Sequence, residues 1–268
     1  MAPKITDTLP RRTSVELPQK PEEQELARKR LEQAAIESDL ADRELQSASL
    51  RAELGAFERQ YLHFVGSRYA ELDELKAQVA ERIAQEQPDN PDRQVSAREA
   101  RAVANQSKSV AGDQATEKPR AFQPSQNMKH LYREVARRIH PDLTSDRDDR
   151  AKRQQLMAEA NQAYERGDNE QLARILANYE HRPEAVLGDD AGAELIRAIR
   201  KISQAKGRMA EIEAGLQDLM RSDLYHLKVR VDQAEQHGRD ILKEMTGKVE
   251  SQIAQARQYL GLPPQVNA

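Results

Sequence analysis

The sequence predicts an all-α protein, an elongated coiled coil of two long helices flanking a small helical module. Three observations carry that expectation. Apolar residues recur at steps of three and four through two long stretches, which is the spacing of a helical stripe. Only 38% of the 268 residues are hydrophobic, 4% are aromatic, 32% are charged and Trp is absent, so one large core cannot be filled. Proline and glycine then fall in clusters that divide the chain into segments rather than being scattered through it.

Residues 1–21 carry Pro3, Pro10, Pro18 and Pro21 among polar neighbours and are expected to form a disordered tail. From residue 22 to 87 a long helix is expected, with Leu50, Leu54, Phe57, Tyr61, Val65, Tyr69, Leu72, Leu75, Val79 and Ile83 as its stripe. Before Leu50 the apolar positions Leu26, Leu31, Ile36, Leu40 and Leu45 are spaced less regularly. Such a helix spans roughly 95 Å and requires a partner along its length. Pro88, Asn90 and Pro91 end it, and residues 88–124, rich in Ser, Gln, Asp and Lys, are expected to be a flexible linker with at most a short helix near Ala97 to Ala104.

Residues 125–182 form the small module, and Pro183, Gly188 and Gly192 mark its end. Residues 183–260 are expected to be a second long helix carrying the seven-residue series Leu195, Ile202, Met209 and Leu216. Its register shifts near Ser222 and Asp223, where a kink or a fresh helix start is expected. Gly207, Gly215, Gly238 and Gly247 imply local bending or close approach of a neighbour. Residues 261–268 close the chain as a second tail, after Pro263 and Pro264. The two stripes are satisfied equally by an antiparallel pairing within one chain, with the module at the tip, or by pairing between chains as a homo-oligomer.

Within the module, Met128 to Ile139 reads as a helix with Leu131, Val135 and Ile139 on one side and Lys129, Arg133, Arg137 and Arg138 elsewhere. Ser125 is placed to cap its start, and Pro141 forces His140 out of the helical region and ends it. A second helix is expected from Arg150 to Arg166 with Gly167 as its C-cap, and a third from Asn169 to Tyr179. The stretches LYREVARRIHPDLT and RQQLMAEANQAYERGD, joined through His140, Pro141 and Asp142, resemble the second and third helices of a J domain and the signature loop between them. The resemblance is to a bacterial coiled-coil protein with a truncated J-like module, and it covers about a fifth of the chain. It implies docking on a DnaK-type heat-shock chaperone and stimulation of its ATPase through His140, Pro141 and Asp142. It further implies that Tyr132, Arg133, Arg137 and Arg138 form the docking face. No helix-like stretch precedes the pair in residues 120–126, so its open apolar face is expected to be covered by the third helix or by the end of a long coil.

Composition narrows the function further. With no Cys there is no disulfide, thiolate catalysis or cysteine-held zinc, and the His residues show no metal-ligand spacing. A net charge of −3 with interspersed signs draws the chain neither to nucleic acid nor to a membrane surface. No catalytic residue, cofactor or metal is expected, and an acid–base pair of His140 and Asp142 is disfavoured because no pocket-forming sequence surrounds it. The expectation is a cytoplasmic, non-enzymatic co-chaperone whose coils hold an unknown client. A coiled-coil scaffold with a vestigial J-like segment is the alternative.

Overall fold

Long solvated helices need apolar partners, and this chain supplies them from its own sequence. The computed structural model describes residues 21–112, 121–144, 146–180 and 191–263, and every regular element among them is helical. The expected tails and the boundary near Pro183 and Gly188 lie outside the described residues, apart from Pro21 and 261–263.

The N-terminal stripe forms α1 (Pro21–Tyr61) and α2 (Ser67–Glu86), joined without a break by a π-helical turn at Leu62–Gly66. The turn sits where the stripe advances by three successive four-residue steps, from Phe57 through Tyr61 and Val65 to Tyr69. That overshoots the 3.6-residue period, and one inserted residue restores the facing of the stripe. The Ser67 N–H is bonded back to the Leu62 carbonyl, and the Ser67 hydroxyl donates to the His63 carbonyl at 2.7 Å.

The stretch expected to be a linker contains a full helix, α3 (Pro91–Gly112). Asn90 accepts from the Asp92 N–H at 3.1 Å, and Pro91 occupies the first turn, where its missing N–H costs nothing. Helix α3 folds back along α2 through two small buried residues, Ala97 and Ala104, and through polar ties. Arg101 bridges Glu74 and Glu81, each at 2.7 Å, and Ser107 donates to Asp73 at 2.8 Å. An interface of two alanines and charged side chains leaves almost no apolar periodicity, so the sequence marked only a short helix near Ala97 to Ala104 and missed its full length. Residues 113–120 of the expected linker lie outside the described residues.

The module follows as α4 (Gln126–Ile139), a 3₁₀ turn at Pro141–Leu143, α5 (Arg147–Arg166) and α6 (Asn169–Glu180). Ser125 accepts from the Met128 N–H at 3.1 Å, and Gly167 closes α5 with φ +78°, both as expected. Helix α5 starts three residues earlier than its apolar face suggests, because Asp146 accepts from the N–H groups of Asp148 at 2.8 Å and Asp149 at 2.9 Å.

The second stripe is three helices rather than one: α7 (Ala191–Arg221), α8 (Asp223–Gln236) and α9 (Ile241–Leu260). The break at Ser222 is the expected one, and this residue caps α8 by accepting from the Tyr225 N–H at 3.2 Å. A further break spans 237–240. There Gly238 adopts φ +72°, and Asp240 caps α9 through the Lys243 N–H at 2.9 Å. At Gly207, Gly215 and Gly247 an added methyl would meet nothing within 4 Å, so close approach explains none of them.

These helices run alongside α1 and α2 within the same chain, and in the same direction. Arg30 pairs with Glu194, Glu44 with Arg208 at 3.1 Å, Arg68 with Glu250 at 3.7 Å, and the Arg82 guanidinium reaches the Leu260 carbonyl at 3.5 Å. The antiparallel pairing weighed from the sequence is therefore replaced by a parallel one, and the module packs against the middle of α1 instead of forming a tip. Leu40 packs with Ala205, Ile212 and Leu216, then Phe57 and Val65 with Val231 and Leu242, then Leu72 and Leu75 with Val249 and Ile253.

The module's core joins Met128, Tyr132, Val135 and Ile139 of α4 to Met157, Ala160, Ala163 and Tyr164 of α5 and Leu172 and Ile175 of α6. Ala41, Leu45 and Ala48 of α1 complete it, so the open face of the helix pair is covered by α6 and by the middle of the long helix together. Tyr164 meets Tyr132 at a tilt of 52° with centroids 4.8 Å apart and shares a hydrogen bond with Ser49 of α1 at 2.9 Å.

Leu45→Ala is expected to destabilise the protein by about 2–4 kcal/mol and to loosen α4 to α6, read by chemical denaturation and by hydrogen exchange across residues 126–180. Gly215→Ala and Gly247→Ala are each expected to stabilise it by about 0.5–1 kcal/mol, read by the same denaturation curves, since both sit in helices with room for a methyl group.

Candidate functional site

The end of α4 determines the geometry of the site. Pro141 holds His140 at φ −53° and ψ 132°, outside the helix, while the His140 N–H still bonds to the Ala136 carbonyl at 3.2 Å. Its side chain therefore points back beneath the turn rather than into solvent. Nδ1 accepts the Asp142 N–H at 3.2 Å, which leaves Nε2 as the ring nitrogen that donates. Nε2 donates to Glu44 Oε1 at 3.0 Å. The same carboxylate oxygen receives the Arg208 guanidinium at 3.1 Å. Elements distant in sequence, α1, the 3₁₀ turn and α7, thus converge on one carboxylate.

The cluster is deeply placed. His140 is 2% exposed and Glu44 6%, and they are two of the few polar residues in the buried set. Burial raises the Glu44 pKa, but the hydrogen bond from His140 and the charge of Arg208 outweigh it and hold the carboxyl below its ordinary value. A buried carboxylate needs such partners, because an unpaired one would be driven to protonate.

The remaining predicted residues scatter over different environments. Pro141 and Asp142 are half-buried on the rim of a cleft of about 450 Å³, which also touches Arg150, Gln154, Asn161, Gln204, Gly207 and Glu211. Arg137 and Arg138 are exposed, the latter paired with Glu134 at 3.1 Å. Arg133 is tied to Asp42 of α1 at 2.6 Å. Tyr132 is fully buried and donates to Asn161 at 2.5 Å, so it supports the core and offers no docking surface. Burial pushes its phenol pKa far upward. The predicted seven-residue set is therefore not one continuous face: the structure groups His140, Pro141 and Asp142, leaves Arg137 and Arg138 at the surface, ties Arg133 to α1 and inserts Tyr132 into the core.

Glu44 and Arg208 were missed by sequence reasoning. Each sits on a long helix among many like residues and is far from the motif in sequence, and only the packing of α1 and α7 brings them together. The one available signal was that Glu44 lies one residue before Leu45, in the weakly periodic part of the stripe.

Chemically, the arrangement is a buried, fixed hydrogen-bond cluster beside a partly open polar cleft. Among the described residues no group of three or more His, Cys, Asp or Glu is arranged to hold a metal ion, and no helix is long and apolar enough to cross a membrane. Comparison with known protein families, curated proteins and solved structures finds no match to this chain.

Because the folded-state pKa of Glu44 is lowered, its charge stabilises the fold above the unfolded value near 4.5, and that stability is lost as pH falls toward the folded-state value. Glu44→Gln is expected to cost about 1–2 kcal/mol near neutral pH. The difference from the wild type should shrink steadily once the solution is taken below the ordinary carboxylate range, read by urea denaturation across a pH series.

Proposed function

We propose that this protein is a co-chaperone-like adaptor whose His140, Pro141 and Asp142 loop docks a DnaK-type heat-shock ATPase and stimulates its hydrolysis of ATP. The observation that carries the reading is the loop itself. A proline-fixed turn joins two helices packed as a unit, and Asp142 keeps part of its carboxylate at the surface, with a side chain 26% exposed. Arg137 and Arg138 lie exposed on the helix leading into it. Asp142 offers an acceptor for a partner's cation, and the arginines favour encounter with an acidic surface. Ala41, Leu45 and Ala48 of α1 pack on the apolar face that a J domain's first helix would cover, which supports the reading of a reduced module.

In this reading the long helices form an elongated coiled-coil arm that holds a client or an assembly partner. The protein acts in the cytoplasm, without a cofactor and without chemistry of its own. A homo-oligomer through exposed faces of the arm is compatible with it.

A second reading has a specific observation in its favour. His140 is buried against Glu44, so the tripeptide serves as a strut between α1, the module and α7, and the J-like segment is a structural remnant in a scaffold. The two readings part over Asp142, whose carboxylate lies 3.7 Å from His140 Nδ1, beyond hydrogen-bond distance, and stays partly open to solvent.

Asp142→Asn is expected to abolish stimulation of a DnaK-type ATPase by the full chain while leaving helicity and the midpoint of thermal unfolding within about 2 °C of the wild type. Equal turnover with the wild type, the variant and no added protein would favour the strut.

A further inference from the structure

The imidazole of His140 is sealed under its own loop, yet the docking reading needs that loop to meet another protein. We propose that Glu44, His140 and Arg208 form a latch that holds the loop shut, and that the loop becomes competent to dock when His140 leaves Glu44 and turns into the adjoining cleft. The inference rests on the docking reading and adds an autoinhibitory contact to it.

The contacts that close the loop differ in kind from those that hold the module. Within the module, α1, α4, α5 and α6 are joined by Leu45, Tyr132, Ile139, Tyr164 and Leu172, an apolar interior. From α7, by contrast, the loop side meets Gln204, Gly207, Arg208 and Glu211, and between them the cleft of about 450 Å³ is left open. Across to the long helices, His140 is held by one hydrogen bond at 3.0 Å to Glu44 and, behind it, the Arg208 guanidinium at 3.1 Å from the same carboxylate; its other ring contact, with the Asp142 N–H, lies within the loop itself. Arg208 is 37% exposed in its side chain, so water can compete for it. Polar contacts beside an open cleft open at lower free energy than a packed core, and the loop can turn while the apolar seam of Leu40 with Ala205, Ile212 and Leu216 stays closed.

Gly207 supplies the space for that movement. It is helical and exposed, it lines the cleft next to Arg208, and a methyl placed on it would meet nothing within 4 Å. In the closed form the ring also accepts the Asp142 N–H at 3.2 Å, so release of His140 frees the backbone of Asp142 as well. One event thereby changes the presentation of two motif residues.

The test uses the full chain with a DnaK-type ATPase, reading hydrogen exchange of peptides over residues 139–144 and ATP turnover at sub-saturating chain. Arg208→Ala should make the loop peptides exchange roughly tenfold faster, with α4 to α6 unchanged, and should raise stimulation. Gly207→Leu, a good helix former that fills the cleft, should slow loop exchange and lower stimulation. Opposite effects from two neighbouring substitutions are not produced by general loosening. Should Arg208→Ala lose helicity, Arg208→Gln keeps a donor toward Glu44 and reads the same quantity with a smaller shift. Unchanged loop exchange in the Arg208 and Gly207 variants overturns the latch, as does faster exchange with stimulation equal to the wild type, and in that second case docking stands. A loop that opens in Arg208→Ala while neither form stimulates the ATPase overturns the docking reading, and the latch with it.

Discussion

The structure depends on α1 having two faces in use at once. A pair of short helices such as α4 and α5 cannot bury its apolar side alone, and Ala41, Leu45 and Ala48 close it from outside the module. One residue before Ala41, Leu40 faces the other way, into Ala205, Ile212 and Leu216 of α7. The register of α1 is therefore fixed from both sides. That register places Asp42 on Arg133, Glu44 under His140 and Ser49 on the Tyr164 hydroxyl.

The buried carboxylate follows from this double packing. Glu44 stands between the two faces, buried at the base of the cleft, and the fold satisfies it with an imidazole from one side and a guanidinium from the other. Neither partner alone suffices. The histidine supplies a hydrogen bond from within the fold, while the Arg208 guanidinium supplies a permanent charge from a partly solvated position. The cluster thus couples the module, the long helix and α7 through one group, and it accounts for the burial of His140 beside a half-buried Pro141 and Asp142.

Away from the module, the parallel packing of α7 to α9 along α1 and α2 is maintained by breaks in both partners. The π turn at Leu62–Gly66 rephases the first, and the caps at Ser222 and Asp240 rephase the second. The Thr246 hydroxyl lies 3.4 Å from the Phe64 carbonyl inside the π turn, so the π turn faces the N-terminal part of α9 just after the break. Straight helices with drifting stripes part company after a few turns, and such interruptions bring the apolar faces back into contact.

By itself the sequence determined that the protein is helical and where most of its helices begin and end. Caps and breakers act within a few residues, so Ser125, Pro141, Gly167 and Ser222 do in the structure what their chemistry dictates locally. It also located the candidate loop, because His140, Pro141 and Asp142 are contiguous. The uneven spacing of Leu26 to Leu45 was legible as weakness but not as its cause, which is that Leu40 and Leu45 serve different partners. The full extent of helix α3 beyond Ala97 to Ala104 was hidden because alanines and arginine–glutamate ties carry no stripe. Direction of pairing, the cover over the module and the burial of His140 were decided only by tertiary structure. A heptad defines a seam without naming what lies across it, and Glu44 and Arg208 acquire their role only when helices far apart in the chain meet.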